Sequence, residues 1–276
     1  MTAAASSQRL WIDEQVRELV VNGEVALEGT DPEGVHQLRV AVRRVRAALK
    51  VSAFDDDGAL LAELRWFFGE LGPMRDLDVL LERFRGDTDG FSSDEMAAFE
   101  RLLKGLRAER TQARRRVTRT LRGKRYLRLL DRLASVDVTP HASGPTDLVG
   151  EIARPYRKLR KAVAAMAAEP ADQELHDLRI RGKKLRYAAE LAAPTGGKAV
   201  RRLVKATKRL QDILGEHQDA CVAEQRVRGL VGEDAQEAFV AGRLVERERA
   251  RQAAARGEWR EAYLEVNQCA AAATGT

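Results

Sequence analysis

Apolar positions recur every three or four residues through nearly the whole chain, which is the period of amphipathic helices. In the segment from Val35 to Lys50, Leu38, Val42, Val45 and Leu49 form one stripe. In a later segment Leu178, Leu185 and Ala189 do the same, with Gly182 on the apolar side, where close helix approach would justify a residue that costs about 1 kcal/mol in a helix. The pattern breaks at Gly29-Thr30-Asp31-Pro32, Asp55-Asp56-Asp57-Gly58, Gly86 to Gly90, Val138 to Pro145, Glu169 to Asp172 and Pro194 to Gly197. Asp31 reads as an N-cap with Pro32 at the first helical position, and Ser92 or Ser93 as the cap ahead of Asp94-Glu95. The expectation is an all-α protein, with four long helices before residue 138, a joint at 138–145, and four helices after it.

The second half echoes the first. Val35-His36-Gln37-Leu38-Arg39-Val40 matches Leu175-His176-Asp177-Leu178-Arg179-Ile180, and Arg43-Arg44 and Arg46 match Lys183-Lys184 and Arg186. Arg65, Leu71-Gly72 and Asp76 match Lys208, Leu214-Gly215 and Asp219. Glu109-Arg110 with Ala113-Arg114 matches Glu246-Arg247 with Ala250-Arg251. Three matches in one order read as a helical unit at about 8–137 followed by a diverged copy at about 146–266, with 267–276 as a flexible tail.

Charged residues make up 33% of the 276 residues and aromatics 5%, a balance that suits solvated helices better than a β-sandwich. The net charge of +6 is modest, but its distribution is uneven. No acid lies between Val35 and Lys50, whereas the stretch from Glu233 to Glu265 is mixed in sign. Two cysteines, Cys221 and Cys269, build no disulfide framework and match no metal-ligand spacing. The first ten residues lack the apolar core of a signal peptide, and the longest apolar run is too short to span a bilayer, so a soluble cytoplasmic protein is expected.

On a helical wheel His36, Arg39, Arg43, Arg46 and Lys50 fall within roughly 80° of one another, opposite the apolar stripe. His176, Arg179, Lys183 and Arg186 repeat that phase. Neighbouring like charges one turn apart repel by a few tenths of a kcal/mol, which an anionic ligand would relieve. Phosphate oxygens suit arginine's planar fork, and a chain of phosphates presents charge at regular intervals. Further basic positions, Arg65, Arg110, Arg114, Lys205, Lys208, Arg247 and Arg251, belong to the same candidate surface. Single-strand nucleic-acid binding would add aromatic platforms; only Tyr126 and Tyr187 are candidates, while Trp66, Phe67 and Phe68 read as packing residues. His217 reads as polar surface and His141 as part of the joint. There is no Walker-type loop and no Gly-x-Gly-x-x-Gly, and no carboxylate cluster for a metal ion.

From His36-Gln37-Leu38-Arg39-Val40 to Arg46, and again from His176-Asp177-Leu178-Arg179-Ile180 to Arg186-Tyr187, the chain resembles the CHAD family, the conserved histidine α-helical domain. The likeness implies a single domain over about 5–266, made of two four-helix bundles related by a pseudo-twofold around a basic central cleft or pore. It also implies binding of inorganic polyphosphate, in bacteria with association to polyphosphate granules. The motif positions that carry over are His36, Arg39, Arg43, Arg46, His176, Arg179, Lys183 and Arg186. The β-rich triphosphate-tunnel domain to which family members are often fused is missing, together with its Glu-x-Glu-x-Lys signature. The expectation is therefore a binding module without catalytic residues, cofactor or metal. Two rival readings are a phosphotransferase or polyphosphatase that uses His36 or His176, and a nucleic-acid binder.

Overall fold

A computed structural model describes residues 3–29, 33–52, 58–135, 148–194 and 196–275. Ten α-helices follow one another among these: α1 (Ala3–Glu28), α2 (Glu33–Ser52), α3 (Ala59–Arg85), α4 (Ser93–Leu102), α5 (Lys104–Leu121), α6 (Lys124–Ser135), α7 (Ala153–Ala164), α8 (Asp172–Ala192), α9 (Gly197–Arg228) and α10 (Ala235–Thr274). There is no strand among the described residues, as the helical period requires. The joint at 138–145, with His141, and the expected cap Asp31-Pro32 lie outside the described residues. No helix among them is long and apolar enough to cross a membrane.

The chain forms two compact units. The first holds residues 1–91 and 103–144, where α2 packs between α1 and α3, and α3 packs on α5. Leu38, Val42, Val45 and Leu49 of α2 are all essentially inaccessible and meet Leu64, Phe67, Leu71 and Met74 of α3. Each such side chain contributes about 1.5–3 kcal/mol when removed from water. Tyr126 of α6 closes the core; its hydroxyl donates to the Leu19 carbonyl at 2.9 Å, and burial raises its pKa.

The second unit holds residues 92–102 and 145–276. Here α9 lies between α8 and α10, and the apolar stripe Leu178, Leu185 and Ala189 is buried against Leu203, Leu210 and Leu214. The short helix α4 docks on α10 through Arg243–Glu95 at 2.5 Å and Arg101–Glu237 at 3.3 Å. Its cap is Ser92: the Glu95 carboxylate accepts from Ser92 N at 2.7 Å and Glu95 N donates back to Ser92 Oγ at 3.3 Å. Residues 267–274, expected as a flexible tail, instead continue α10: Ala270 is fully buried, and the Tyr156 hydroxyl donates to Asn267 Oδ1 at 2.9 Å. Alanine is the strongest helix former, so an Ala-rich end with a core contact extends the helix rather than fraying it.

Candidate anion-binding rows

In the first unit the row on α2 rests on α3. The Arg39 guanidinium lies 4.0 Å from the centroid of the Phe68 ring and donates to the Phe68 carbonyl at 3.3 Å. It lies beside Gly72 of α3, where a Cβ would stand 3.4 Å from Arg39 Nη1, in ordinary contact. Arg46 shares the same ring at 5.8 Å. Phe68, read from the sequence as a packing residue, is thus the platform on which the first row is laid out. Burial, opposed by Asp76 and reinforced by Arg43 and Arg75, lowers the Arg39 pKa below its ordinary value. The residue stays charged, but its charge is held where water solvates it poorly and other cations stand close. Arg43 is exposed and His36 half-buried. The side chain of Lys50 lies outside the described residues.

The second unit repeats the device. Arg179 of α8 lies against Gly215 of α9, where a Cβ would come 3.7 Å from its Nε. The echoed Leu-Gly steps thus place a glycine beside an arginine of the neighbouring helix in both units, Gly72 beside Arg39 and Gly215 beside Arg179. Gly182, buried in α8, would put a Cβ 3.0 Å from Gln211 Nε2, which donates to the Arg179 carbonyl at 2.8 Å. Close helix approach thus accounts for this glycine. His176 Nδ1–H donates to Gln218 Oε1 at 2.7 Å, which orients the ring and leaves Nε2 as the nitrogen for a ligand. Arg186 pairs with Glu190 at 3.2 Å beside the exposed ring of Tyr187.

Three nitrogens in these rows, Arg46 Nε, Arg179 Nε and Arg186 Nε, are buried and lack a hydrogen-bond partner among the described residues, the last with the Glu190 carboxylate 3.2 Å away as an ion pair. A buried donor left unsatisfied costs about 1–3 kcal/mol, which a guanidinium recovers by turning to present that nitrogen to an acceptor oxygen.

Not every basic residue singled out from the sequence stands ready for a ligand. Arg110 is paired at 2.5 Å with Asp78, a buried carboxylate of α3. Arg114 Nη2 donates to the Glu28 carbonyl at 2.8 Å and ties α5 to the end of α1. Arg251 holds the fully buried Glu248 at 2.7 Å and stands 3.8 Å from Glu216. These three are structural ties as much as candidate contacts, and Arg247 and Lys183 are half-buried. Arg65 and Lys208 are exposed. Lys205 lines a surface cleft of about 230 Å³ together with Lys198, Arg201 and Arg202. Lys198, Arg201, Lys205 and Lys208 recur at helical spacing within roughly 80° on α9, so the second unit has a further basic stripe, of which Lys208 is matched in sequence by Arg65.

His217 corrects a second expectation. It is buried, not surface: its Nε2 lies 3.3 Å from Asp172 Oδ1, and burial lowers its pKa. Burial raises the neighbouring Cys221 thiol to about 11, so it is not a ready nucleophile at neutral pH. Tyr126, a candidate stacking residue, belongs to the core of the first unit.

Comparison with known proteins fits this geometry. Uncharacterized proteins from two strains of Mycobacterium tuberculosis are each 34% identical to this chain over 231 residues, which is 78% of the chain and 44% of the relative. The chain therefore spans under half the length of these curated relatives. The crystal structure of the CHAD domain from the plant Ricinus communis superposes with a TM-score of 0.71 at 26% identity, covering 95% of this chain and 91% of that one. PptA from Streptomyces chartreusis shares the fold with a TM-score of 0.65 at 22% identity, covering 94% of this chain and 99% of its own. The CHAD domain profile matches residues 11–228, most of the helical chain and both His/Arg rows, and the chain belongs to the CHAD domain family.

Proposed function

We propose that the chain binds inorganic polyphosphate along its two His/Arg/Lys rows and does no chemistry on it. The observation that carries this reading is the pair of buried guanidinium nitrogens, Arg46 Nε and Arg179 Nε, that lack a hydrogen-bond partner among the described residues. A cation that is desolvated, close to other cations and short of an acceptor is stabilised by an anion with several oxygens. Family membership supports the same ligand, since the CHAD resemblance implies polyphosphate binding and, in bacteria, association with polyphosphate granules.

The aromatic side chains beside the rows favour phosphate over nucleic acid. The Phe68 ring is already covered by Arg39 at 4.0 Å, which leaves the exposed Tyr187 as one stacking platform where single-strand binding normally uses several. Competition between long-chain polyphosphate and single-stranded RNA of equal total charge tests the assignment. Displacement of the RNA by polyphosphate is expected, and the reverse order would make the chain a nucleic-acid binder. Incubation with polyphosphate and Mg²⁺ is expected to release no phosphate; steady release abolished by His36→Ala or His176→Ala would make it an enzyme.

A further inference from the structure

The second unit holds a group of donors unrelated to the phosphate rows. Asp172 opens α8, His217 and Cys221 stand one turn apart on α9, and one ligand atom from each lies within 4.8 Å of the others. His217 Nε2 is 3.3 Å from Asp172 Oδ1 and 4.0 Å from Cys221 Sγ. Zinc bonds of about 2.0–2.2 Å to oxygen and nitrogen and about 2.3 Å to sulfur give tetrahedron edges of roughly 3.3–3.7 Å. The oxygen–nitrogen edge is therefore already formed; the sulfur must close in on the imidazole nitrogen by a few tenths of an ångström, and it lies within 4.8 Å of the carboxylate oxygen.

We infer that Asp172, His217 and Cys221 form a binding site for one transition-metal ion of the zinc class, with water as the fourth ligand. Three further features support this. The imidazole is almost wholly buried, so it is fixed in place rather than recruited from solvent. A cleft of about 200 Å³, lined by Asp172, Cys221, Glu224 and Gln252 among others, adjoins the group and gives an ion and a water a way in. The carboxylate is also oriented by an arginine: Arg256 Nη2 hydrogen-bonds to the same Oδ1 of Asp172 that faces His217, while its Nη1 donates to the Pro170 carbonyl at 2.6 Å. Outer hydrogen bonds of this kind orient ligating carboxylates.

The same arginine sets the selectivity. Arg256 neutralises the charge of Asp172, so the thiolate and imidazole dominate the attraction, a donor set that selects Zn²⁺ or Co²⁺ over the oxygen-seeking Mg²⁺ and Ca²⁺. On binding, the ion replaces the thiol proton, which leaves to solvent.

The test uses the full chain without a histidine tag, stripped with chelator and titrated with Co²⁺ while the absorption spectrum is followed. One Co²⁺ per chain is expected, with a thiolate-to-metal charge-transfer band that an equivalent of Zn²⁺ removes and that a large excess of Mg²⁺ leaves in place. Cys221→Ser should abolish the band, Asp172→Asn should weaken binding at least about tenfold, and Cys269→Ser should change nothing. Helicity by circular dichroism confirms that the variants are folded; Asp172 is exposed, so its variant reports even if Cys221→Ser unfolds. Absence of a thiolate band, or a band that survives Cys221→Ser, overturns the assignment and leaves the group as a structural hydrogen-bonded anchor.

Discussion

Replacing Arg179 with methionine should make the unliganded protein more stable and the ligand-binding protein worse. Arg179 Nε is buried without a hydrogen-bond partner among the described residues, a state whose cost is about 1–3 kcal/mol. The residue as a whole is half-exposed, so the lower end of that range applies. Methionine retains much of the apolar stem beside Gly215, and the Gln211 hydrogen bond at 2.8 Å survives because it goes to the Arg179 backbone carbonyl. Removing one cation from the row relieves a few tenths of a kcal/mol of repulsion. The sum is a gain of about 1 kcal/mol, or roughly 4 °C in Tm for a unit of this size. Polyphosphate affinity should fall by about 1.5–3 kcal/mol, the worth of a charge-assisted hydrogen bond, or roughly 10- to 100-fold. Thermal unfolding without ligand and calorimetry with long-chain polyphosphate read the two effects separately. A less stable protein with unchanged affinity would show that the guanidinium serves the fold and not a ligand.

Arg110→Ala should act in the opposite sense: it strands the buried Asp78 carboxylate and should cost about 2–3 kcal/mol of stability in the first unit, read by urea unfolding, with less effect on binding than Arg179→Met. Polyphosphate affinity should fall steeply with salt, log K being linear in log salt, and Arg43→Ala should flatten the slope; a salt-independent affinity would contradict counterion release. Glu70, which accepts from Arg116 at 2.7 and 2.8 Å, has its pKa lowered from 4.5 by that hydrogen bond. Its contribution is thus fully present above about pH 4.5 and is lost as pH falls through the lower folded-state value. Acid titration of Glu70→Gln should accordingly show a smaller loss of stability between pH 6 and pH 3 than wild type.

The readable part of this molecule was whatever repeats with a helical period. The apolar stripe of α2 and that of α8 both face their cores, because four apolar side chains one turn apart cannot be left in water cheaply. The echoed Leu71-Gly72 and Leu214-Gly215 steps were visible, although their placement beside Arg39 and Arg179 required the neighbouring helix. Partners distant in sequence escaped notice. Nothing local marks Asp78 as the counter-ion of Arg110, or the Glu28 carbonyl as that of Arg114. His217 read as polar surface, but it turns to the side of α9 that faces the start of α8. Phe68 read as a packing residue and does pack against the core of the first unit, but the Arg39 guanidinium over its ring comes from a neighbouring helix and left no local sign.

The most direct measurement is calorimetric titration of long-chain polyphosphate into the wild-type chain and into the double charge reversal Arg43→Glu/Lys183→Glu, each at low and at high salt. Tight binding at low salt, weaker binding at high salt, and loss of binding in the helical, folded double variant are the expected results. Equal affinity of the two proteins, or no heat of binding to the wild type at low salt, would contradict the assignment of the His/Arg/Lys rows as the phosphate site.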